Sequence, residues 1–130
     1  MKANWLKALI LTLLISSCGS PRGKLYQIDN LEIYYDENKG TADFVKPLGA
    51  FFKDNGLVHP NQKHSVKLTS TPNEFVLKMI LNDSLEKVPV DLLKEIEYLE
   101  AAIGETVFKN ANFAIVITDA YFKPLSTSEN

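Results

Sequence analysis

Two short stretches of the chain alternate between apolar and polar positions, which is the period of a half-buried β-strand. They are residues 31–35 (LEIYY) and residues 65–69 (SVKLT). Two other stretches, residues 74–81 (EFVLKMIL) and residues 113–119 (FAIVITD), are apolar with few interruptions. Because the turn-forming residues 71–73 (TPN) separate the second stretch from the third, these two are predicted to form a hairpin. The pattern therefore predicts four strands.

Between the strands, two segments have the apolar spacing of an amphipathic helix. In the first, Thr41 is predicted to cap the helix, and Asp43 in its first turn suits the helix dipole. Pro47 lacks a backbone donor, which predicts a kink or a later helix start. Residues 55–56 (NG) tolerate left-handed backbone and are predicted to end the helix. The apolar positions of this helix are Phe44, Leu48, Phe51 and Phe52.

The second helix has the more regular apolar stripe. Its main positions recur at intervals of four, three and four residues, as one face of a helix requires. Charged residues, among them Glu97 and Glu100, are predicted to lie largely on the opposite, solvated side. The stripe consists of Leu92, Ile96, Leu99 and Ile103, and it is widened by Leu93 and Val107.

The element order, strand-helix-strand-strand-helix-strand, predicts an α+β fold. With a right-handed crossover at each helix and both helices on one face, this order gives a two-layer ferredoxin-like βαββαβ sandwich. Its four-stranded antiparallel sheet would have the strand order 4-1-3-2. The alternative is another two-layer α+β arrangement of the same elements.

Strand alternation predicts which side chains face the helices and which lie on the open side of the sheet. The open side would have an apolar centre, and contiguous apolar surface often marks an interaction site for a partner protein or a second copy of the domain. Alternatively, residues 121–125 or residues 25–28 fold back to cover this face. The candidate interaction residues are Tyr34, Val76, Ile80 and Val116, and the inward residues are Leu31, Ile33, Val66, Leu68, Phe75, Leu77, Phe113, Ile115 and Ile117.

The N-terminus has the layout of an export signal. A basic start precedes the apolar run of residues 8–15 (ALILTLLI), which is shorter than the about 20 helical residues that span a bilayer. Residues 15–18 (ISSC) resemble the lipobox of bacterial lipoproteins. The resemblance implies that residues 1–17 are a signal peptide, that a lipid on Cys18 anchors the protein in a membrane, and that Gly19 directs it to the outer membrane, facing the periplasm. The alternative is an ordinary signal peptide that is cleaved elsewhere.

Charge and cysteine content argue against several classes of function. The chain has 14 basic and 16 acidic residues among 130, so neither a nucleic-acid footprint nor a polybasic membrane patch is predicted. With its single cysteine lipidated, the chain would have no disulfide. The length suits one domain. The predicted organisation is a signal peptide at 1–17, a lipidated tether at 18–30, an α+β domain at 31–125 and a disordered tail at 126–130.

No residue pattern in the chain predicts catalysis. A nucleophile needs a base within hydrogen-bond reach, and that base is usually histidine. The two histidines, His59 and His64, lie in one loop, and no cysteine or carboxylate nearby completes a metal shell. The prediction is therefore that they are solvated, that no cofactor or metal is bound, and that the chain is not an enzyme. A small-ligand or metal carrier that uses this loop is the alternative function.

Residues 31–122 also resemble a small uncharacterised domain of bacterial membrane-associated proteins. The resemblance is carried by LEIYYDENKGTADFVKPLGAFFKDNGLV and HSVKLTSTPNEFVLKMIL, and it implies the fold but no activity. Asp83-Ser84-Leu85 resembles the acceptor for O-glycosylation of exported proteins in some bacteria. Taken with the lipobox, these features predict a lipid-anchored envelope protein with a non-catalytic protein-interaction domain.

Overall fold

The computed structural model describes residues 23–37, 40–81, 87–109 and 111–127. The predicted signal peptide, Cys18 and Asp83-Ser84-Leu85 lie outside these residues. Within them, no helix combines the length and the apolar composition that crossing a membrane requires. The elements are β1 (Lys24–Ile28), β2 (Leu31–Tyr35), a 3-10 turn (Ala42–Phe44), α1 (Val45–Asp54), β3 (His64–Ser70), β4 (Phe75–Ile80), β5 (Lys87–Val88), α2 (Val90–Ile103), a π-helical turn (Gly104–Phe108), β6 (Phe113–Thr118) and β7 (Ser126–Thr127).

The main sheet has five strands rather than the predicted four, in the order β1-β2-β3-β4-β6. β1 and β2 are antiparallel, β2 and β3 parallel, β3 and β4 antiparallel, and β4 and β6 parallel. The α+β class and the β3–β4 hairpin are confirmed, but the order 4-1-3-2 is not the one found. In a ferredoxin-like sheet each helix crosses over an intervening strand, whereas here each helix connects neighbouring strands, which are therefore parallel.

The strand that was missed is β1. Residues 24–28 are part of the predicted tether, but in the structure they pair with β2 across the two-residue connection Asp29-Asn30. Asp29 has a φ of +54°, as the first residue of a tight hairpin turn often does. β1 therefore occupies the edge of β2 where the last strand of a ferredoxin-like sheet would lie, and β6 pairs with β4 instead.

The two helical crossovers have opposite hands. β2 and β3 run in one direction and β4 and β6 in the other, while both connections step toward the same edge of the sheet. Both helices nevertheless pack on the same face, because Phe52 of α1 and Ile103 of α2 belong to one buried cluster. One connection must then be left-handed, although right-handed crossovers dominate in proteins. The prediction of two right-handed crossovers is therefore wrong.

The end of α1 follows the prediction. The N–H of Gly56 donates to the carbonyl of Lys53 at 3.2 Å, and the N–H of Leu57 donates to the carbonyl of Phe52 at 2.8 Å. With Gly56 at a φ of +70°, this is the paired bonding of a Schellman motif. Pro47 is the third residue of α1, so its missing N–H is among the helix-start donors that have no partner within the helix.

Thr41 does not cap α1 as predicted. Its side chain is fully buried, and its hydroxyl donates to the carbonyl oxygen of Asp36 at 2.8 Å. No side-chain cap bond forms at the start of the 3-10 turn that leads into α1. Thr41 therefore ties the chain that follows β2 to the start of the helical segment.

All nine predicted inward residues belong to the core, seven of them buried and Phe75 and Phe113 packed against it. Ile103 of α2 is fully buried, while Leu99 is partly buried against the same cluster. The ring of Phe108 stacks on Phe75 and Phe113, with centroid distances of 4.9 and 4.7 Å. Of the predicted stripe, Leu93, Ile96, Leu99, Ile103 and Val107 pack in or against the core, whereas Leu92 does not belong to this cluster. Aromatic rings close one end of the core.

Glu100 does not lie on the solvated side of α2 as predicted. Its Oε2 accepts the backbone N–H of Ile115 at 2.8 Å. The N–H of Leu125 donates to the carbonyl of Ile117 at 3.0 Å, so the returning chain pairs with the same strand. These contacts cover the outer edge of β6, which would otherwise present unpaired backbone groups. The chain then continues into β7, which pairs in parallel with β5, so Ser126 and Thr127 of the predicted tail form a strand.

Candidate interaction face

The outer face of the sheet is the side that carries neither helix. One row of side chains crosses it, because the strand register pairs Leu25 with Tyr34, Tyr34 with Lys67, Lys67 with Lys78 and Lys78 with Val116. All of these residues occupy the same side of the pleat. The row runs from an apolar residue on β1 to an apolar residue on β6, with two lysines in the middle.

Three of the four predicted interaction residues surround Lys78. Val76 and Ile80 precede and follow it by two positions on β4, and Val116 is its partner on β6. Alternate residues of a strand share a face, so these three half-buried side chains form an apolar rim around Lys78. Tyr34 lies apart from them, since β3 separates it from β4. The structure thus brings three of the four residues together around a charge.

Two lysines occupy the centre of the outer face. Lys67 and Lys78 are Cα partners across the β3–β4 hairpin, which places their Cβ atoms about 5 Å apart. Both side chains are half-buried. The centre of the outer face therefore carries two basic side chains.

Phe122 covers the Tyr34 side of the outer face. The two rings meet edge to face, with centroids 6.2 Å apart and planes at 65°. Phe122 is only 6% exposed, whereas its neighbour Tyr121 is 77% exposed. The fold-back of residues 121–125 that the sequence left open as an alternative therefore occurs at Phe122. The distribution of charged residues in the sequence does not predict the contact between Phe122 and Tyr34.

Residues 25–28 are the other segment that was predicted to cover the outer face, and in the structure their side chains lie on both faces of the sheet. Leu25 lies on the outer face and is 47% exposed. Tyr26 and Ile28 lie on the inner face, where they pack against the core. A Cβ atom on Gly49 of α1 would lie 3.0 Å from the Tyr26 ring and 3.2 Å from the Ile28 side chain. Close packing of α1 on β1 therefore requires glycine at position 49, and Leu25 is the one apolar residue of this segment that extends the outer face.

The turn that positions Phe122 is built on Asp119. Its Oδ1 accepts the backbone N–H groups of Lys123 at 3.0 Å and Tyr121 at 2.8 Å. The bond from Lys123 is the main cause that lowers the pKa of the Asp119 carboxyl. Phe122 has a φ of +64°, which is rare for a bulky residue. The carboxylate thus stabilises the unusual backbone that brings Phe122 onto Tyr34.

Glu32 lies on the outer face at the end nearer the histidine loop. Its Oε1 accepts the hydroxyl of Ser65 at 2.9 Å, and its Oε2 is 4.0 Å from Nζ of Lys63. The Glu32 side chain is 18% exposed, and that of Lys63 is 64% exposed. The carboxylate of Glu32 therefore interacts with Ser65 and Lys63 at the rim of the outer face, away from Lys78.

The two histidines form one hydrogen-bonded loop. Nε2 of His64 accepts the N–H of His59 at 3.1 Å, while Nδ1 of His59 accepts the N–H groups of Asn61 at 3.0 Å and Gln62 at 3.1 Å. Burial, together with the nearby His59, lowers the pKa of His64. Each histidine uses a ring nitrogen as an acceptor, which requires that nitrogen to be unprotonated. In the part of the chain that the structure describes, no three or more His, Cys, Asp or Glu residues form a group suited to a metal ion.

An open groove lies between the histidine loop, the core and α2. Its volume of about 520 Å³ is within the range of small-molecule sites. Apolar side chains contribute most of its surface, and both histidines lie along it. The residues that line it include Phe52, Val58, His59, His64, Met79 and Leu99.

One comparison with known proteins shows the family of the chain. A protein-family model described as a family N-terminal domain matches residues 25–130. The match runs from β1 to beyond β7. The chain belongs to this family. The N-terminal domain family is a small uncharacterised domain, so the resemblance predicted from residues 31–122 is confirmed at that level and brings no activity with it. No curated protein and no solved structure matches the chain.

Proposed function

We propose that this chain is a lipid-anchored protein of the cell envelope, and that its domain is a non-catalytic module that binds another protein through the outer face. The lipobox-like residues 15–18 (ISSC) support a lipid on Cys18 after removal of residues 1–17. Gly19 supports sorting to the outer membrane, and the lack of an acidic cluster directly after Cys18 supports an orientation toward the periplasm. Two or three acyl chains on one cysteine would hold the protein on its membrane, since one chain alone binds only marginally.

The observation that carries the binding proposal is the placement of both helices on one side of the sheet. α1 and α2 bury the inner face, while Val76, Ile80 and Val116 stay half-buried on the outer face. An antiparallel hairpin that faces water usually has polar residues on its solvated side. A partner that covered the three apolar side chains would remove them from water, which favours association.

Site-specific photo-cross-linking in intact cells tests this proposal. The full chain carries a photoreactive residue either at Val116 on the outer face or at Tyr98, which is 79% exposed on α2. We expect a protein adduct from position 116 and none from position 98. Val76→Lys should remove the adduct and leave the melting temperature of the domain unchanged. Adducts of equal yield from both positions would contradict binding through the outer face, and an adduct between two copies of the chain would identify the partner as a second copy.

The groove beside His59 and His64 supports a second candidate function, a small-ligand or metal carrier. Both ring systems border an apolar groove of suitable volume, and each histidine keeps one ring nitrogen that does not accept the backbone bonds described above. A ligand that binds only the folded state at about a hundred times its Kd adds roughly 2.7 kcal/mol to stability. Melting curves with zinc, copper and nickel test this function, and unchanged melting temperatures with all three would argue against the metal carrier.

A further inference from the structure

We propose that the groove beside the histidine loop binds a small carboxylate with an apolar body, such as a medium-chain fatty acid, rather than a metal ion. This inference rests on the second candidate function and names the chemistry of its ligand. Both histidine rings line the groove together with apolar side chains. The hydrogen bonds within the loop decide which ring nitrogens are left for a ligand, and those nitrogens carry protons.

Backbone hydrogen bonds fix the tautomer of each histidine. Nδ1 of His59 accepts the N–H groups of Asn61 at 3.0 Å and Gln62 at 3.1 Å, and a ring nitrogen that accepts carries no proton. In the neutral ring the proton of His59 therefore lies on Nε2. Nε2 of His64 accepts the N–H of His59 at 3.1 Å, which places the proton of the second ring on Nδ1. The bonds of the loop use neither of these two ring N–H groups, so each ring retains a donor.

The same bonds disfavour a metal ion. A histidine that ligates a metal almost always donates its other ring N–H to a carboxylate, a backbone carbonyl or water. Here the other ring nitrogen of His59 faces two backbone N–H groups. A metal on Nε2 would move the ring proton to Nδ1, where it would meet those N–H groups and break both bonds. A hydrogen-bond acceptor at Nε2 would leave them intact, so the loop suits an acceptor better than a metal.

Asn30 holds the histidine loop in position. Its side-chain Nδ2 donates to the carbonyls of His59 at 2.9 Å and Pro60 at 3.0 Å. Its own backbone carbonyl accepts the N–H of His64 at 2.9 Å. The loop is thus tied to the β1–β2 turn at both histidines. A site whose donors are already in position loses less conformational freedom when a ligand binds.

The charge along the groove favours an anion. Among the described residues that line it, Lys63 has an ammonium group and none has a carboxylate. Nζ of Lys63 lies 4.0 Å from Oε2 of Glu32, and the Lys63 side chain is 64% exposed. An ammonium has three donors, so this one can serve a second acceptor. A carboxylate can accept from both ring N–H groups and from Lys63 at once, and hydrogen bonds to a charged group are among the stronger ones in proteins.

The rest of the groove suits an apolar chain. Phe52, Val58, Met79 and Leu99 contribute apolar surface to it. Small-molecule sites are typically apolar clefts in which a few polar groups fix the orientation of the ligand. The ligand would therefore place its carboxylate at the histidines and its apolar body against these side chains. Each further methylene that leaves water should tighten binding roughly fourfold.

Titration calorimetry of the purified full chain with defined probes tests the proposal. The probes are octanoate, hexanoate, octanol, octylamine and zinc. We expect octanoate to bind roughly tenfold more tightly than hexanoate, because it buries two further methylenes, and roughly tenfold more tightly than octanol, which has no charge. Octylamine should bind more weakly still, because its ammonium is repelled by that of Lys63. Octanol or octylamine that binds as tightly as octanoate would overturn the carboxylate ligand, and so would binding of zinc without binding of octanoate. If none of the probes binds, the second candidate function itself fails.

Two substitutions separate the ring donors from the bonds of the loop. His59→Asn keeps an acceptor for the N–H groups that follow it, as asparagine does in turns, but it removes Nε2–H. His64→Gln keeps an acceptor oxygen for the N–H of His59 and removes Nδ1–H. Each should weaken octanoate binding roughly tenfold, the effect of one lost hydrogen bond to a charged group. Lys46→Gln, on the exposed side of α1 and outside the groove, is the control and should bind octanoate like the wild type. Unchanged affinity in both histidine variants would overturn the proposal.

The ring nitrogens of the wild-type chain give a readout that does not depend on the folding of a variant. Long-range ¹H–¹⁵N spectra above the histidine pKa report which nitrogen of each neutral ring carries the proton. We expect the proton on Nε2 of His59 and on Nδ1 of His64, and we expect the resonances of these two nitrogens to shift when octanoate is added. The opposite tautomer at either ring would overturn the proposal. Octanoate binding that leaves both resonances unchanged would also overturn it, because the ligand would then lie elsewhere.

Discussion

The ring of Phe122 rests edge-on against the ring of Tyr34, and the two residues come from distant parts of the chain. Tyr34 belongs to β2, which β3 and β4 separate from β6, the strand that leads into the turn carrying Phe122. The aromatic contact therefore reaches across the outer faces of β3 and β4. It closes one side of the outer face and leaves Val76 and Val116 half-buried on the other side.

Phe122→Ala should destabilise the domain by about 3 to 4 kcal/mol, in the lower part of the range for buried aromatic truncations. The reason is the loss of a nearly buried ring and of its contact with Tyr34. Urea denaturation measures the change in the free energy of unfolding. Tyr121→Ala is the matched control, because Tyr121 is the adjacent aromatic and is 77% exposed, and it should change stability by less than about 0.5 kcal/mol. Equal effects of the two substitutions would contradict the packing of Phe122.

Ile103→Ala should destabilise the domain by about 2 to 5 kcal/mol through lost burial and a residual cavity, because Ile103 is fully buried on α2. Leu99→Ala should cost less than Ile103→Ala, because Leu99 is only partly buried and borders the open groove. Glu97→Ala on the exposed side should change stability by less than about 0.5 kcal/mol. Thermal or urea unfolding gives the ranking, and an effect of Glu97→Ala as large as that of Ile103→Ala would mean that the helix presents a different face.

The two helices and four of the strands could be predicted from sequence because their apolar periods are local. The stripe through Ile103 and the alternation through Ile33 each specify one buried face. The tight turn at Asp29-Asn30 carried the signal for β1, since two residues of turn chemistry separate two partly apolar runs. Because residues 24–28 were predicted to belong to a tether, the predicted sheet lacks this strand and has a different strand order.

The candidate site was predictable only in part, because it depends on register. Alternation places Val76, Ile80 and Val116 on one side of the sheet, but it does not say which residue lies opposite which. The Lys67–Lys78 pairing follows from the alignment of β3 with β4. The position of Phe122 depends on the backbone N–H groups of Tyr121 and Lys123 that donate to the Asp119 carboxylate, and no periodic pattern in the sequence predicts such a turn. Long-range placement of this kind is a tertiary property.

Glu100→Ala should destabilise the domain by about 1 to 3 kcal/mol, the range for a polar group that loses its hydrogen-bond partner. The substitution removes the acceptor of the Ile115 N–H at the edge of β6. Glu100→Gln keeps an acceptor oxygen and should recover part of the loss, while Glu97→Ala serves as the surface control. Amide hydrogen exchange at Ile115 provides a local measurement, and exchange that stays equally slow in Glu100→Ala would contradict the bond.

The stability of the domain should decrease as the pH falls below the ordinary histidine pKa of 6.5. The folded chain lowers the pKa of His64, mainly by burial and also through His59, so the unfolded chain binds more protons in the window between the two values. Linkage then makes the contribution of His64 to stability complete above about pH 6.5 and smaller as the pH falls toward the folded-state pKa. Protonation of Nε2 would also break the bond from the N–H of His59.

Urea denaturation between about pH 8 and about pH 5 measures this dependence. His64→Phe removes the titrating group and should flatten the decrease, whereas the wild-type chain should retain it. The remaining slope in His64→Phe reports the other groups that titrate in this window, whereas Asp119, whose pKa is lowered from its ordinary value of 3.8, contributes only at more acidic pH. Stability that rises as the pH falls through this window would contradict the hydrogen-bonded arrangement of the loop.

Cys18→Ser should abolish lipid attachment, because the thiol of Cys18 is the only one in the chain. Cells fed a fatty-acid analogue should label the wild-type protein and leave the variant unlabelled. The variant should also keep residues 1–17, since processing at a lipobox depends on the modified cysteine, and the intact mass of the purified chain reports their retention. Ser20→Ala is the matched control, because it changes a neighbouring small residue and keeps the thiol, so it should be labelled and processed like the wild type. Labelling that persists in Cys18→Ser would remove the lipid anchor from the proposed function, whereas binding through the outer face would still be decided by its own cross-linking test.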